Sequence, residues 1–429
     1  MLHALALILC AANDPLVVPA PQVAPRRVTV RLTRGRDERP VRSESFGVNG
    51  ADGLDASPAR RHGGNRFTGF DWESGASNAG SDWMHHSDLS LLREPGQTGP
   101  GDLLVDLVRG DQARGADSWL TLPLAGFVAA DARGTVAAHE TAPSPRWKQV
   151  VVRGDSTPAL HPDVDDDQVR LDELLHVLRA RLGAEGLEPP RGYLLDNEPA
   201  LWSHTHPRLH PEPARWQEVL EGGVEVAELV TGFDPDAQIF GPVLYGWAAL
   251  RDLQGAPDAD EHTTSWFDAT FGGGDSIDTF GDYYLAGMAA ASERAGRRLL
   301  HRFDLHWYPE AHGEQRITSE AVDAATMEER LQAPRSLWDP TWRETSWVAD
   351  SLDGPVTLLP RLQRMVDAHY PGTELAISEY NFGTAGHISG GLAQADALGI
   401  LARHEVAAFW WPMGATRDFV DAAFALYLE

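Results

Sequence analysis

The chain has 429 residues, 42% of them apolar, and a formal net charge of −27. That length suits one large barrel with insertions, or two domains, with enough apolar material for a full core. So acidic a surface is a poor match for nucleic acid or an anionic membrane and a better one for a neutral substrate.

The single cysteine, Cys10, rules out an intrachain disulfide. It lies in MLHALALILCAANDP, where the apolar run from Ala4 to Ala12 is too short to span a bilayer. That run has the form of a signal-peptide core with a small-residue cleavage site near Ala12. Residues 1–12 are therefore expected to be a signal peptide, and the protein to be secreted or periplasmic. Residues 13–42, rich in Pro and Arg, read as a leader or linker with a candidate strand at Arg27–Leu32. Residues 43–429 read as one domain.

From there on, short apolar runs alternate with amphipathic helices. The expected strands are Ser45–Asn49, Phe67–Phe70, Ser118–Leu124, Gly192–Asp196, Gln238–Leu244, Arg302–Trp307, Glu374–Ser378 and Val406–Trp411. They do not alternate polar with apolar, as expected of strands covered on both faces. Leu171, Leu174, Leu175, Leu178 and Leu182 fall at helical spacing, as do Leu359, Leu362, Val366 and His369, and Leu392, Ala395 and Gly399. The acids of Asp163–Asp167 are cap candidates ahead of the first of these helices. Eight strands with helices between them predict an α/β fold, a (β/α)8 TIM-like barrel. A doubly wound sheet is the alternative, but no Gly-rich phosphate loop opens a helix. The long loops Ala129–Thr157 and Gln315–Gly354 are expected over the C-terminal face, where barrels build their sites.

Two segments place carboxylates on that face. YLLDNEP sets Glu198 at the end of the fourth strand, and ELAISEYNFG sets Glu379 at the end of the seventh. A pair of carboxylates flanking a sugar bond is what glycoside hydrolysis needs, one protonated to assist the leaving oxygen and one ionised. Asn197 is placed to hold a sugar 2-hydroxyl, and Pro199 fixes the exit from the strand. DLHWYPE puts His306 and Tyr308 at the end of the sixth strand, the first toward a sugar hydroxyl and the second toward the nucleophile. Among 14 tryptophans, Trp72, Trp83, Trp202 and one of the pair Trp410–Trp411 are candidate stacking platforms. His204 and His206 form an H-x-H pair with His210 behind it, a spacing that can bind zinc. Barrel metal sites of that kind sit at a strand end, however, and these histidines lie in a loop well past it.

DNEPALWSHTHPRLHP, ISEYNFGTAGHISGGLAQADALGI and RHGGNRFTGFDWESGASNAGSDW, in patches from Phe46 to Tyr427, resemble glycoside hydrolase family 44. The resemblance implies a (β/α)8 barrel, retaining chemistry and a β-1,4-glucan substrate, cellulose or xyloglucan in type. It maps the acid/base onto Glu198 and the nucleophile onto Glu379, with their carboxyls roughly 5–5.5 Å apart. The family's Arg-Trp-Gly-Gly-Asn reads here Arg61-His62-Gly63-Gly64-Asn65. Its Thr-Arg-Tyr-Asn-Trp reads Thr68-Gly69-Phe70-Asp71-Trp72, which lacks a basic and a phenolic group near the second strand. Asn65 becomes a further substrate-binding candidate. The family also carries a β-sandwich, expected here to be absent or much reduced unless the chain is a fragment. No cofactor is expected, apart from a structural cation that cannot be placed, and the chain is expected to be a monomer that binds neither nucleic acid nor membrane. Two other functions stand beside the hydrolase: a non-catalytic β-glucan-binding barrel, and a metal-dependent hydrolase using His204 and His206.

Overall fold

The computed structural model describes residues 41–50, 54–92, 96, 99–264, 276–414 and 416–428. The expected signal peptide and the strand at Arg27–Leu32 lie outside the described residues. Eight parallel strands close into a barrel: β1 (Gly47–Asn49), β2 (Ala59–His62), β3 (Asp117–Leu122), β4 (Gly192–Leu195), β5 (Gln238–Leu244), β6 (Arg302–Trp307), β7 (Glu374–Tyr380) and β8 (Ala407–Trp410). Each strand pairs with its neighbours in sequence, and β1 closes the ring on β8 through Gly47 against Phe409 and Val48 against Trp410. Among the described residues a long helix follows every strand from β2 on: α1 (Asp102–Ala113), α2 (Leu171–Glu185), α3 (Trp216–Phe233), α4 (Phe280–Ala295), α5 (Leu358–His369), α6 (Ile388–Arg403) and α7 (Asp418–Leu428). None is long and apolar enough to cross a membrane.

The helical spacing in the sequence has its cause in this shell. Leu171, Leu174, Leu175, Leu178 and Leu182 of α2 and Leu359, Leu362 and Val366 of α5 are all buried against the barrel. Each contributes roughly 1.5–3 kcal/mol by leaving water. In α6 the buried face runs through Ala393, Ala397, Leu398 and Leu401, while Leu392 stays 52% exposed. The stripe expected there is therefore offset by one residue.

Two expectations fail locally. The second strand is Ala59–His62, and Phe67 and Thr68 belong instead to the helical turn Asn65–Thr68. The run ARRH looks polar, yet Arg60, Arg61 and His62 are 0–2% exposed. The acids of Asp163–Asp167 do not cap α2, because the short strand Gln168–Arg170 intervenes and Arg170 stands at the cap position. Asp172 and Glu173 of the first turn supply the negative charge there.

The loops over the C-terminal face are built structures. The segments after β2 and β3 form two three-stranded sheets, one from Ser77–Asn78, His86–Asp88 and Gly134–Thr135, the other from Phe127–Ala129, Trp147–Val151 and Gln168–Arg170. The loop after β6 carries the helices Ala324–Gln332 and Trp347–Ser351.

Inside the barrel the packing changes along the strand direction. At the N-terminal end Ala59, Trp119, Leu194, Phe240, Ala376 and Phe409 form a closed apolar plug, with the Trp119 ring 5.3 Å from that of Phe409. Toward the C-terminal end the inward positions become Asn49, Arg61, Asp304, His306, Ser378 and Glu379, all 0–6% exposed.

Candidate active site

The backbone at the end of β4 is unusual. Asp196 has φ +62° and Glu198 φ +48°, left-handed values that non-glycine residues avoid. Such conformations cost of order 1–3 kcal/mol each and persist where their surroundings fix them. Here Asp196 supplies the fixing. Its buried carboxylate accepts from Thr68 Oγ1 at 2.5 Å, Asn197 N at 2.6 Å, Leu124 N at 2.5 Å and Ala125 N at 3.1 Å. The Glu198 N–H donates to the Val243 carbonyl at 2.9 Å, and the 3-10 turn Pro199–Leu201 leads away. Glu198 is thus presented into a cleft rather than along the strand.

Glu379 lies within β7, not past its end, because the strand runs on to Tyr380. A register shift against both neighbours, between Ile377 and Tyr380 toward β8 and between Asp304 and His306 on β6, re-aims its side chain inward. Arg61 Nη1 donates to Glu379 Oε1 at 2.5 Å, and the Tyr308 hydroxyl donates to Oε2 at 2.8 Å. Arg61 also donates to Asn49 Oδ1 at 3.0 Å and, through Nη2, to Asn197 Oδ1 at 2.7 Å. Burial opposes ionisation of Glu379, but the charges of His306 and Arg61 and the donors Arg61 and Tyr308 outweigh it. The carboxyl is held below its ordinary value. Burial and the charge of Glu379 raise the Tyr308 hydroxyl well above the usual phenol range, so it stays a donor.

His306 stands between the two carboxylates, Nδ1 at 2.7 Å from Glu198 Oε1 and 3.6 Å from Glu379 Oε2. One polar atom from each of the three residues falls within 4.8 Å of the other two. The side chain of Glu198 is 15% exposed and that of Glu379 8%. One carboxyl faces the cleft with a histidine as its partner, and the other is deeper and clamped by a guanidinium. The two carboxylates thus sit in unequal settings.

The cleft above them, about 420 Å³, is within the ~300–1,000 Å³ range of ligand sites. Its walls include Tyr245, Trp247, Trp307, Trp347 and Trp411. The Gly63-Gly64 pair lets these parts approach. A Cβ on Gly63 would sit 2.8 Å from the Arg61 guanidinium, and one on Gly64, at φ +87°, would sit 2.8 Å from the Trp411 ring.

Glu198, Glu379, Asn197, His306, Tyr308 and Trp411 therefore meet at one site. Asn197 is engaged by Arg61 and donates to Asn65 Oδ1 at 3.2 Å, which puts Asn65 at the rim with a further bond to Asp82. His306, expected to touch sugar, is fully buried against Glu198. Trp72 and Trp202 are each 2% exposed, so neither can offer a face to a sugar ring. Trp202 Nε1 instead donates to the Asn197 carbonyl at 3.2 Å. Trp410 is buried against Phe424, while Trp83 is 59% exposed.

The histidines of the H-x-H segment diverge. His204 is exposed, His206 Nε2 bonds the Asn65 carbonyl at 2.8 Å, and His210 Nε2 bonds Glu218 at 2.8 Å. Burial pushes His206 down to about 4, so it is a neutral packing group. Sequence reasoning missed Arg61, Asn49, Trp247 and Trp347. Arg61 was within reach: an Arg-Arg-His run directly before Gly-Gly has no reason to be buried unless the barrel interior is polar there.

A model of glycoside hydrolase family 44 matches residues 76–311. The chain is 40% identical over 432 residues to endoglucanase A of Paenibacillus lautus, with 97% of this chain and 60% of that protein covered. It is 38% identical to the β-mannanase/endoglucanase A of Caldicellulosiruptor saccharolyticus, with 94% and 31% covered. The chain thus spans 60% and 31% of the length of these two curated relatives. Among solved structures, a Paenibacillus polymyxa xyloglucanase of family 44, determined with xyloglucan, is 43% identical with a TM-score of 0.84, covering 91% of this chain and 76% of that one.

Proposed function

Because the chain belongs to glycoside hydrolase family 44, we propose that it is a retaining endo-β-1,4-glucan hydrolase acting on cellulose- or xyloglucan-type chains. The observation that carries this reading is the clamped, ionised Glu379 with an oxygen of Glu198 within 4.8 Å. The retaining course is the one the family resemblance implies, and a pair this close fits it.

In this reading Glu379 attacks the anomeric carbon while Glu198 gives its proton to the leaving glycosidic oxygen. A glycosyl ester forms on Glu379. Glu198, now ionised, takes a proton from water as the water oxygen attacks the anomeric carbon and releases Glu379. Arg61 and Tyr308 keep the nucleophile anionic between turnovers, and the aromatic walls of the cleft offer apolar faces to sugar rings. Endoglucanase and xyloglucanase recur among the names of the relatives, which supports glucan chains, while one relative is named a β-mannanase as well.

Glu379→Gln and Glu198→Gln should each lower release of reducing ends from xyloglucan and carboxymethylcellulose by about 10³-fold or more while the protein stays folded. Activity surviving in both variants would remove the assignment. Cello-oligosaccharide binding by the unaltered protein without any turnover would favour a binding barrel.

A further inference from the structure

Strand β7 carries one residue more than either neighbour at the level of Glu379. From Ala376 to Glu379 it advances three positions while β6 advances two, from Asp304 to His306. From Ile377 to Tyr380 it again advances three while β8 advances two, from Ala408 to Trp410. Ser378, inside this bulge, has no opposite residue on β6 or on β8. Its backbone meets side chains from both directions. The N–H donates to Asp304 Oδ1 at 2.9 Å, and the carbonyl accepts from Asn49 Nδ2 at 2.9 Å. The same Nδ2 donates to the Phe409 carbonyl on β8 at 3.0 Å. Two carbonyls at one end of the Asn49 amide require its NH2 there, so its oxygen is the end that faces Arg61. Asn49 and Arg61 are register partners across β1 and β2, which puts their side chains on one face. Arg61 Nη1 has two protons. One goes to Asn49 Oδ1 at 3.0 Å and the other to Glu379 Oε1 at 2.5 Å.

We propose that Asn49 is a positioning residue for Glu379 and holds it from two sides: Nδ2 pins the bulge that aims the carboxylate inward, and Oδ1 fixes the Arg61 guanidinium that clamps it. Asn49 is 2% exposed and is not part of the cleft wall, so it acts through these neighbours. Without Oδ1, one Nη1 proton of Arg61 would be buried with no acceptor, and the guanidinium could turn away from Glu379. Without Nδ2, the Ser378 and Phe409 carbonyls would each lose a buried donor, and the bulge could relax. A reacting group misplaced by about 1 Å can cost on the order of 10²-fold in rate. The charged and titratable groups around Glu379 are Arg61 from β2, His306 from β6, Tyr308 just beyond β6 and Glu198 beyond β4. β1 and β8 bring none. Arg61 is one of the two charges that hold the Glu379 carboxyl down against burial, the other being His306. Whatever loosens Arg61 therefore acts on the ionisation of Glu379 as well as on its place.

This role rests on the proposed hydrolase, and the test keeps the two apart. Carbon-13 NMR of substrate-free protein labelled at the glutamate carboxyls reads the titration of Glu379, with Glu379→Gln giving the assignment. Kinetics on xyloglucan then compare the unaltered chain with Asn49→Ala and Asn49→Asp. In Asn49→Ala, kcat should fall about 10- to 100-fold with KM within about threefold. Glu379 should titrate at a higher pH than in the unaltered protein, and the acid limb of kcat/KM should move up with it. Asn49→Asp keeps the volume but removes both N–H donors and sets a second carboxylate on Arg61. It should move both readings in the same direction and lower kcat at least as far. A folded variant that is less stable but keeps the kcat and the Glu379 titration of the unaltered protein overturns the proposal, since Asn49 would then serve only the closure of the ring. If Asn49→Ala does not fold, Asn49→Asp decides by the same readings, and failure of both to fold also overturns it. Should the unaltered protein hydrolyse no glucan, the function fails while the titration of Glu379 still decides the role of Asn49.

Discussion

The two ends of the barrel interior are equally dry and opposite in kind. The lower end is filled by Trp119, Leu194, Phe240 and Phe409, with one buried guanidinium, Arg302, beside Phe240 and paired with Glu44 and Glu374. The upper end buries Arg61, Asp304, His306 and Glu379 at 0–6% exposure. Burial below yields stability directly. Above, burial is unfavourable for every ion taken alone and is tolerated because each has a partner. The lower end holds the ring together, and the upper end turns the same exclusion of water into strong electrostatics.

Exchanging the consequences of mutation between the two ends would break this contrast. The largest effect is expected from Arg61→Met, which leaves Glu379 without its guanidinium. kcat/KM should fall on the order of 10³-fold, and the acid limb of the pH profile should rise, while thermal unfolding stays cooperative. Phe409→Ala should do the reverse. It should lose about 3–5 kcal/mol of stability in denaturant titration, with kcat close to that of the unaltered protein. Equal loss of activity and stability in both variants would erase the distinction.

Smaller changes sharpen it. Tyr308→Phe removes one donor from Glu379 and should lower kcat about 10- to 100-fold. In the unaltered protein the acid limb of kcat/KM should lie below the ordinary glutamate value of about 4.3, because Glu379 is held down. The same depression means that its contribution to stability is present above that ordinary value and is lost as pH falls through the folded one. His206 is the mildest case. Its folded value of about 4 is depressed by burial. Its contribution is therefore present above its ordinary value of about 6.5 and is lost as pH falls toward 4. His206→Gln should flatten the decline in melting temperature across that window and leave activity near neutral pH little changed.

Where the sequence was legible follows the same division. Seven of the eight barrel strands and the α2 and α5 stripes could be read because apolar runs at the lower end and on the helix faces obey simple periodicity. β2 could not, since its inward residues belong to the polar end and ARRH looks like surface. Glu198 and Glu379 stood out because each ends or interrupts an apolar run. Trp72 and Trp202 were misjudged because composition says nothing about which indoles reach solvent. Trp347 escaped notice because it lies on a short helix far from any strand end.

Arg61 reaches Glu379 across a sequence separation of 318 residues and Asn197 across 136. Asn49 bonds the carbonyls of Ser378 and Phe409, 329 and 360 residues away. The clamp on Glu379 therefore does not exist in any segment of the chain. It is assembled only when the first two strands meet the last two, the most non-local event in this topology. If the chain is the hydrolase proposed above, its activity reports ring closure: during refolding it should return with the pairing of β1 on β8 and not with the earlier growth of helix content.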